Sequence, residues 1–169
     1  MNAVIFDMDG VLIDSERVVL EGFRYAGKKT GVPNAERMAI VGIGLNDDAW
    51  IEKLRLEFGA DAMRERLERV GLLQYFDVVI SGDMVSRSKP EPDIFLEAAR
   101  RLGEAAAQCT VIEDSPNGLR ASKRAGCRTI FVPDLWQPEQ EQPEQEQPEL
   151  YDARFSDLDA VRAFFAAER

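Results

Sequence analysis

Apolar positions along the chain follow two rhythms. Val4-Ile5-Phe6 is a short uninterrupted run that stops at Asp7, which reads as a strand buried on both faces with an acid at its carboxyl end. From Ser15 the rhythm turns helical: Val19, Phe23 and Ala26 fall at near-helical spacing until Gly31-Val32-Pro33 ends the segment. Residues 34–41 predict a short helix stopped by Gly42-Ile43-Gly44. Trp50, Leu54 and Phe58 predict a third helix, capped by Asn46 or Asp47. Residues 62–72 read as a further helix closed by Gly71. Three units of one kind follow. Asp77–Gly82 reads as a strand, with a helix from Asp93 to Leu102 after it. Thr110–Asp114 is a second strand, with a helix from Asn117 to Ala125 and Gly126 as its stop. Arg128–Val132 is a third, ending at Pro133-Asp134. A last helix, Leu158–Ala167, gathers Leu158, Val161, Phe164 and Phe165 on one side. Short apolar strands alternating with helices of this kind predict an α/β fold: a parallel sheet flanked by helices, with residues 15–58 as a helical insertion after the first strand.

One stretch breaks both rhythms. Residues 137–149 repeat Gln-Pro-Glu-Gln-Glu, with three prolines, five glutamates and no apolar residue, so burial cannot offset the entropy of ordering them and an extended linker is expected. They carry half of the net charge of −10, which comes from 21 Lys plus Arg against 31 Asp plus Glu. That balance argues against nucleic acid or an anionic membrane as a partner, since both call for concentrated positive charge. No apolar run is long enough to span a bilayer, and Met1-Asn2-Ala3 does not open like a secretion signal, so a cytoplasmic location is the expectation. The chain of 169 residues, 45% hydrophobic and 31% charged, is long enough to bury one core of ordinary size. Oligomeric state has no signature in the sequence.

Histidine is absent, which removes Ser-His-Asp and Cys-His catalysis and the commonest zinc ligand together. Cys109 and Cys127 form no Cys-x-x-Cys pair and read as small buried hydrophobes. Carboxylates, lysine and a metal are left to carry any chemistry. Within a regular strand Asp7 and Asp9 project the same way, and Gly10 lets the backbone turn sharply after them. Two acids in one small space call for a hard cation such as Mg2+ or for a division of acid and base roles. Glu113 and Asp114 repeat the arrangement at the end of a second buried strand.

With its flanking residues, Val4-Ile5-Phe6-Asp7-Met8-Asp9-Gly10-Val11-Leu12-Ile13-Asp14-Ser15 resembles the first signature of the haloacid dehalogenase superfamily, phosphotransferases that work through an aspartyl-phosphate. Ser88-Lys89-Pro90-Glu91-Pro92-Asp93-Ile94-Phe95 is similar to its third signature, and Val111-Ile112-Glu113-Asp114-Ser115-Pro116-Asn117-Gly118 to its fourth. The resemblance implies a Rossmann-like core, residues 1–14 and 62–169, and a small, truncated helical cap, residues 15–61. It implies Asp7 as nucleophile and Asp9 as acid and base. Lys89, Gly10 and Asn117 fall to the phosphoryl group, and Mg2+ to the Asp7 carboxylate, the Asp9 backbone carbonyl and Asp114, with Glu113 as a nearer or more distant partner. The implied activity is hydrolysis of a small phosphorylated metabolite such as a sugar phosphate. A sugar-phosphate mutase like β-phosphoglucomutase and a phosphate-binding remnant without turnover are the alternatives.

The second signature, a Ser or Thr at the end of a strand, is missing: Phe58-Gly59-Ala60 runs straight into Asp61-Ala62-Met63, as though several tens of residues were absent there. In the superfamily's sheet that strand lies between the first strand and the one corresponding to residues 77–81. Its loss would leave those two about 9–10 Å apart, twice the pairing distance. A discontinuity of the chain within residues 58–63 is therefore expected.

Overall fold

The computed structural model describes residues 2–31, 60–134 and 148–168. Their elements run in the order β1 (Ala3–Phe6), α1 (Ser15–Thr30), α2 (Ala60–Arg69), α3 (Asp93–Leu102), β2 (Cys109–Glu113), α4 (Pro116–Ala125), β3 (Arg128–Phe131), β4 (Ala153–Arg154) and α5 (Leu158–Ala167). The strands form a parallel sheet in the order β1-β2-β3-β4, flanked by helices, as the alternation of apolar runs predicts. Every residue of β2 is buried, whereas β1, at one edge, is half-buried throughout. The two expected helices between Gly31 and Phe58 and the linker up to Gln147 lie outside the described residues, as do residues 58 and 59 of the expected discontinuity; residues 60–63, the rest of that window, run unbroken in α2.

By its internal contacts the chain divides into two compact units. One comprises Met1–Ile5, Asn46–Val111 and Arg120–Arg128; the other comprises Phe6–Leu45, Ile112–Leu119 and Thr129–Arg169. In the first, Phe95 and Ala99 of α3 pack with Cys109 and Val111 of β2, with Ala121 and Ala125 of α4, and with Cys127; Ala3 and Ile5 of β1 lie against them. Cys109 and Val111 share one face because side chains along a strand repeat every two residues. Both cysteines are buried members of this core, and burial pushes the Cys127 thiol up to about 11, so they serve as small hydrophobes. On the outer side of α3, Glu97 accepts from Arg100 Nε at 2.7 Å and from Arg101 Nε at 2.7 Å.

In the second unit Phe131 is fully buried, with Tyr151 at 5.3 Å between ring centroids and the Arg154 guanidinium 5.4 Å from its ring. β4 lies parallel to β3, with Ile130 opposite Ala153 and Phe131 opposite Arg154. Just before it, Asp152 takes both backbone groups of Thr129: its amide donates to the carbonyl at 2.8 Å and its carboxylate accepts from the amide at 2.7 Å. Helix α5 starts on Asp157, whose carboxylate accepts from the Ala160 amide at 2.8 Å. It is tied down through Phe164, 5.0 Å from the Phe155 ring.

One element differs from expectation. Residues 78–81 carry no strand, and Gly82–Met84 is a 3-10 turn in which the Ser81 hydroxyl bonds Asp83. Val78-Val79-Ile80 has strand propensity, but propensity is realised only against a neighbouring strand. Among the described residues β1 is the end of the sheet, and no strand stands between it and residues 78–80.

The paired arginines hold the Glu97 carboxyl down to about 2, Arg100 contributing most and Arg101 next, against an ordinary value of 4.5. A carboxylate whose folded value is lowered stabilises the fold above its unfolded value and loses that contribution as pH falls through the folded one. Glu97→Gln is therefore expected to lower the urea midpoint at neutral pH, and the difference from the parent protein should shrink as pH falls from 4.5 towards 2. Urea melts across that range check it; a difference that stays constant with pH would refute it.

Candidate active site

The candidate site is built from the ends of β1 and β2. The Asp7 amide donates to the Ile112 carbonyl at 2.9 Å, extending the β1–β2 ladder one residue beyond β1 and fixing Asp7 level with the end of β2. The chain then folds back on itself: Leu12 and Ile13 amides both donate to the Met8 carbonyl at 2.9 Å, and Gly10 donates to the Ile13 carbonyl at 2.9 Å. Met8 is buried beneath this turn, and Asp9 is exposed above it. Gly10 has φ of 80°, in the left-handed region that favours glycine, and a Cβ on it would collide with the Asp114 carboxylate. The Asp9 carboxylate accepts from the hydroxyl of Ser15, the first residue of α1.

At the end of β2, Glu113 is fully buried. Its Oε2 accepts from the amides of Asp114 at 2.9 Å and Ser115 at 2.8 Å, and from the Ser115 hydroxyl at 3.0 Å. That hydroxyl in turn accepts from the Gly118 amide at 3.1 Å, so Ser115 caps α4 while steadying Glu113. Pro116 opens α4 where its missing N–H costs nothing. A Cβ on Gly118 would overlap the Glu113 carboxylate, which lies directly against the helix backbone.

Asp7, Glu113 and Asp114 each bring one carboxylate oxygen to within 4.8 Å of the others, with Glu113 and Asp114 buried and Asp7 half-buried. Three carboxylates so close, two of them out of water, are costly without a cation. An all-oxygen, all-anionic donor set suits a hard ion such as Mg2+ and not a thiolate- or imidazole-seeking one. The residues present therefore fit the implied metal.

Of the residues singled out in the sequence, Asp7, Asp9, Gly10, Glu113, Asp114 and Asn117 all belong to one unit. Asp7, Glu113 and Asp114 meet there; Gly10 touches Asp114; Asn117 is half-buried at the second position of α4. The Asp9 carboxylate is turned to Ser15 and is not one of the three. Lys89 belongs to the other unit, where its Nζ stands 5.2 Å from the centroid of the Phe95 ring. Sequence reasoning gave no role to Ser15, to Arg17, which bridges Asp14 at 2.7 Å and Asp134 at 2.9 Å, or to Arg87 and Arg124 around the Lys89 loop. A Ser that both follows an acidic turn and opens a helix is a readable signal for the first. The others depend on pairs distant in sequence or on charges common on any surface.

Residues 59–132 match the family described as haloacid dehalogenase-like hydrolase. A phosphorylated carbohydrates phosphatase of Thermotoga maritima is 29% identical over 182 aligned positions, covering 78% of this chain and 84% of that protein. An alignment of that length over part of a 169-residue chain contains several tens of positions that only the relative fills. A bifunctional riboflavin kinase/FMN phosphatase of Arabidopsis thaliana is 52% identical over 65 residues, 38% of this chain, and the chain spans 17% of that protein's length. A haloacid dehalogenase-like protein of unknown function from Agrobacterium tumefaciens shares the fold, with a TM-score of 0.71 at 22% identity over 99% of both chains. Among the described residues no helix is long and apolar enough to cross a membrane. The stretch the family match covers, from α2 to β3, is the one that carries Glu113 and Asp114, and over it the chain is similar to the haloacid dehalogenase-like hydrolases.

Proposed function

We propose that this protein is a Mg2+-dependent phosphatase that hydrolyses a small phosphomonoester, a phosphorylated carbohydrate or similar metabolite, through a phosphoryl group carried on Asp7. The observation that carries the reading is the set of carboxylate oxygens of Asp7, Glu113 and Asp114 within 4.8 Å of one another at the ends of adjacent strands. The activity named for the Thermotoga maritima relative supports the substrate class.

In this reading an Asp7 oxygen attacks phosphorus, the bond from phosphorus to the ester oxygen breaks, and the departing alkoxide takes a proton from the Asp9 carboxyl. A water then attacks the acyl phosphate, giving its proton to the Asp9 carboxylate, and Asp7 is released with inorganic phosphate. Asp9 has the right company for both roles, because the Ser15 hydroxyl can donate to its carboxylate or accept from its carboxylic acid. Mg2+, held by the Asp7 and Asp114 carboxylates with the Asp9 carbonyl and Glu113 nearby, would neutralise charge between Asp7 and an anionic substrate. Lys89 supplies a second positive charge to the phosphate oxygens, and Gly10, in the turn after β1, and Asn117, in the first turn of α4, complete the phosphate site. Residues 15–61 correspond in sequence to the segment that forms the superfamily's cap.

A phosphate-release screen over sugar and other metabolite phosphates tests the reading. Asp7→Asn is expected to lower turnover by about 10^3-fold or more with the fold retained. Retained turnover would overturn the nucleophile assignment, and Mg2+ binding without turnover on any phosphomonoester would leave only the non-catalytic remnant. Removing metal with a chelator should abolish release and added Mg2+ should restore it. Gly10→Ala places a methyl group on the Asp114 carboxylate and is expected to raise the Mg2+ concentration for half-maximal activity by roughly 10–100-fold. An unchanged Mg2+ dependence in that variant would remove Asp114 from the metal site.

A further inference from the structure

A lysine amine rides on four methylene groups, so its position is only as definite as the backbone beneath it and the surface its stem lies on. Lys89 sits in Arg87-Ser88-Lys89-Pro90-Glu91-Pro92-Asp93, where two prolines remove amide donors and one turn bond, Glu91 amide to Ser88 carbonyl at 3.0 Å, spans the residue. Two arginines brace what the amides do not. Arg124, in the last turn of α4, donates from a single Nη1 to the Pro90 carbonyl at 3.0 Å and to Glu91 Oε1 at 2.9 Å. Arg87 grips both oxygens of Asp93, the first residue of α3, through Nε at 3.1 Å and Nη2 at 2.7 Å, and its Nη1 lies 3.5 Å from Glu91 Oε2. Glu91 thus joins the two guanidiniums, and the chain is held on both sides of Lys89. Arg87 also holds the Asp93 carboxyl below its ordinary range, chiefly through these hydrogen bonds.

A cation in the last turn of a helix has a general explanation in the helix dipole, but Lys123 answers to that equally well. The dipole does not account for a guanidinium that reaches 34 residues back to a main-chain carbonyl next to Lys89. Nor is stability a sufficient account, since Arg124 is 50% exposed and Glu91 40% exposed, and ion pairs so wet contribute little to it. What a charged donor on the Pro90 carbonyl does achieve is orientation of the Pro90–Glu91 peptide unit, the next one along from the two that flank Lys89, with the Lys89 amine over Phe95.

We propose that Arg124, braced by Arg87 through Glu91, is a positioning residue for the Lys89 amine. The proposal rests on the reading of Lys89 as the phosphate-binding cation, and a double-mutant cycle separates the two. Lys89→Ala should cripple phosphate release. Arg124→Met should lower kcat by about 10-fold with KM little changed, as a misplaced reacting group does, and should add nothing in the Lys89→Ala background. Arg124→Lys, which keeps a charged donor, should recover most of the loss.

A second readout needs neither metal nor turnover. Lysines methylated with 13C-formaldehyde give separate NMR signals, and the Lys89 signal, identified by its absence in Lys89→Ala, should be displaced by the Phe95 ring and should return towards the solvent-exposed position in Arg124→Met. If Lys89→Ala leaves turnover intact, the phosphate reading of Lys89 fails and the proposal with it. If Lys89→Ala cripples release but Arg124→Met costs the same in both backgrounds, or leaves the Lys89 signal displaced, Arg124 is only structural and the proposal is overturned. Should Arg124→Met not fold, Glu91→Gln removes the charge that joins the two arginines; a smaller loss of kcat with the same signal shift supports the proposal, and unchanged values overturn it.

Discussion

Like charges crowded out of water repel, so holding oxygens of Asp7, Glu113 and Asp114 within 4.8 Å of one another requires a backbone that cannot relax them apart. The turns around these residues meet that requirement in detail. The bond from the Asp7 amide to the Ile112 carbonyl prevents the end of β1 from sliding along β2. Glu113 cannot swing away, because three donors converge on one of its oxygens and the backbone of Gly118 lies against its carboxylate. Asp114 is confined on the other side by Gly10, where any larger residue would occupy its place. A protein with no use for three adjacent carboxylates would relieve the repulsion by a single substitution; here two glycines and a serine cap are arranged to sustain it.

Glu113 and Asp114 divide the labour despite being neighbours. The side chain of Glu113 folds back to collect the amides that open α4, so the acid is built into the join between strand and helix. Removing it would disturb the cap on Ser115 as well as the charge. Asp114 faces the turn after β1, where Gly10 comes close to its carboxylate. Hydrogen bonds from the start of α4 fix Glu113, and the close approach of Gly10 limits where the Asp114 carboxylate can go. A cation joining them would bridge parts already held in place.

Much of this was legible in the chain. The buried runs that became β2 and β3 and the helices ending at Leu102, Ala125 and Ala167 follow from apolar spacing and stop signals, which are local. The acids at the ends of β1 and β2 were legible for the same reason, since a strand that stops on a carboxylate announces itself. Residues 78–80 show the limit: their composition is that of a strand, but a ladder needs a partner, and partnership is not written in the segment itself. Ala153–Arg154 shows the converse. Two residues are too few to carry a period, and β4 exists because β3 offers an open edge and Asp152 docks on Thr129.

The same distinction runs through the charges. Arg87, Glu91, Asp93 and Arg124 are ordinary in sequence, and 31% of the chain is charged, so nothing sets them apart until the fold brings Arg124 to the Pro90 carbonyl. Motif reading singles out Lys89 because Pro90 and Pro92 stand beside it in sequence. It misses Arg124, which reaches the Pro90 carbonyl across space from a helix whose C-terminal cation Lys123 also supplies. A resemblance carried by signatures thus points to candidate residues earlier than to the scaffold that sets their geometry. In this chain the scaffold differs from one acid to the next: backbone ladder for Asp7, helix cap for Glu113, glycine clearance for Asp114, and paired guanidiniums for the Lys89 loop.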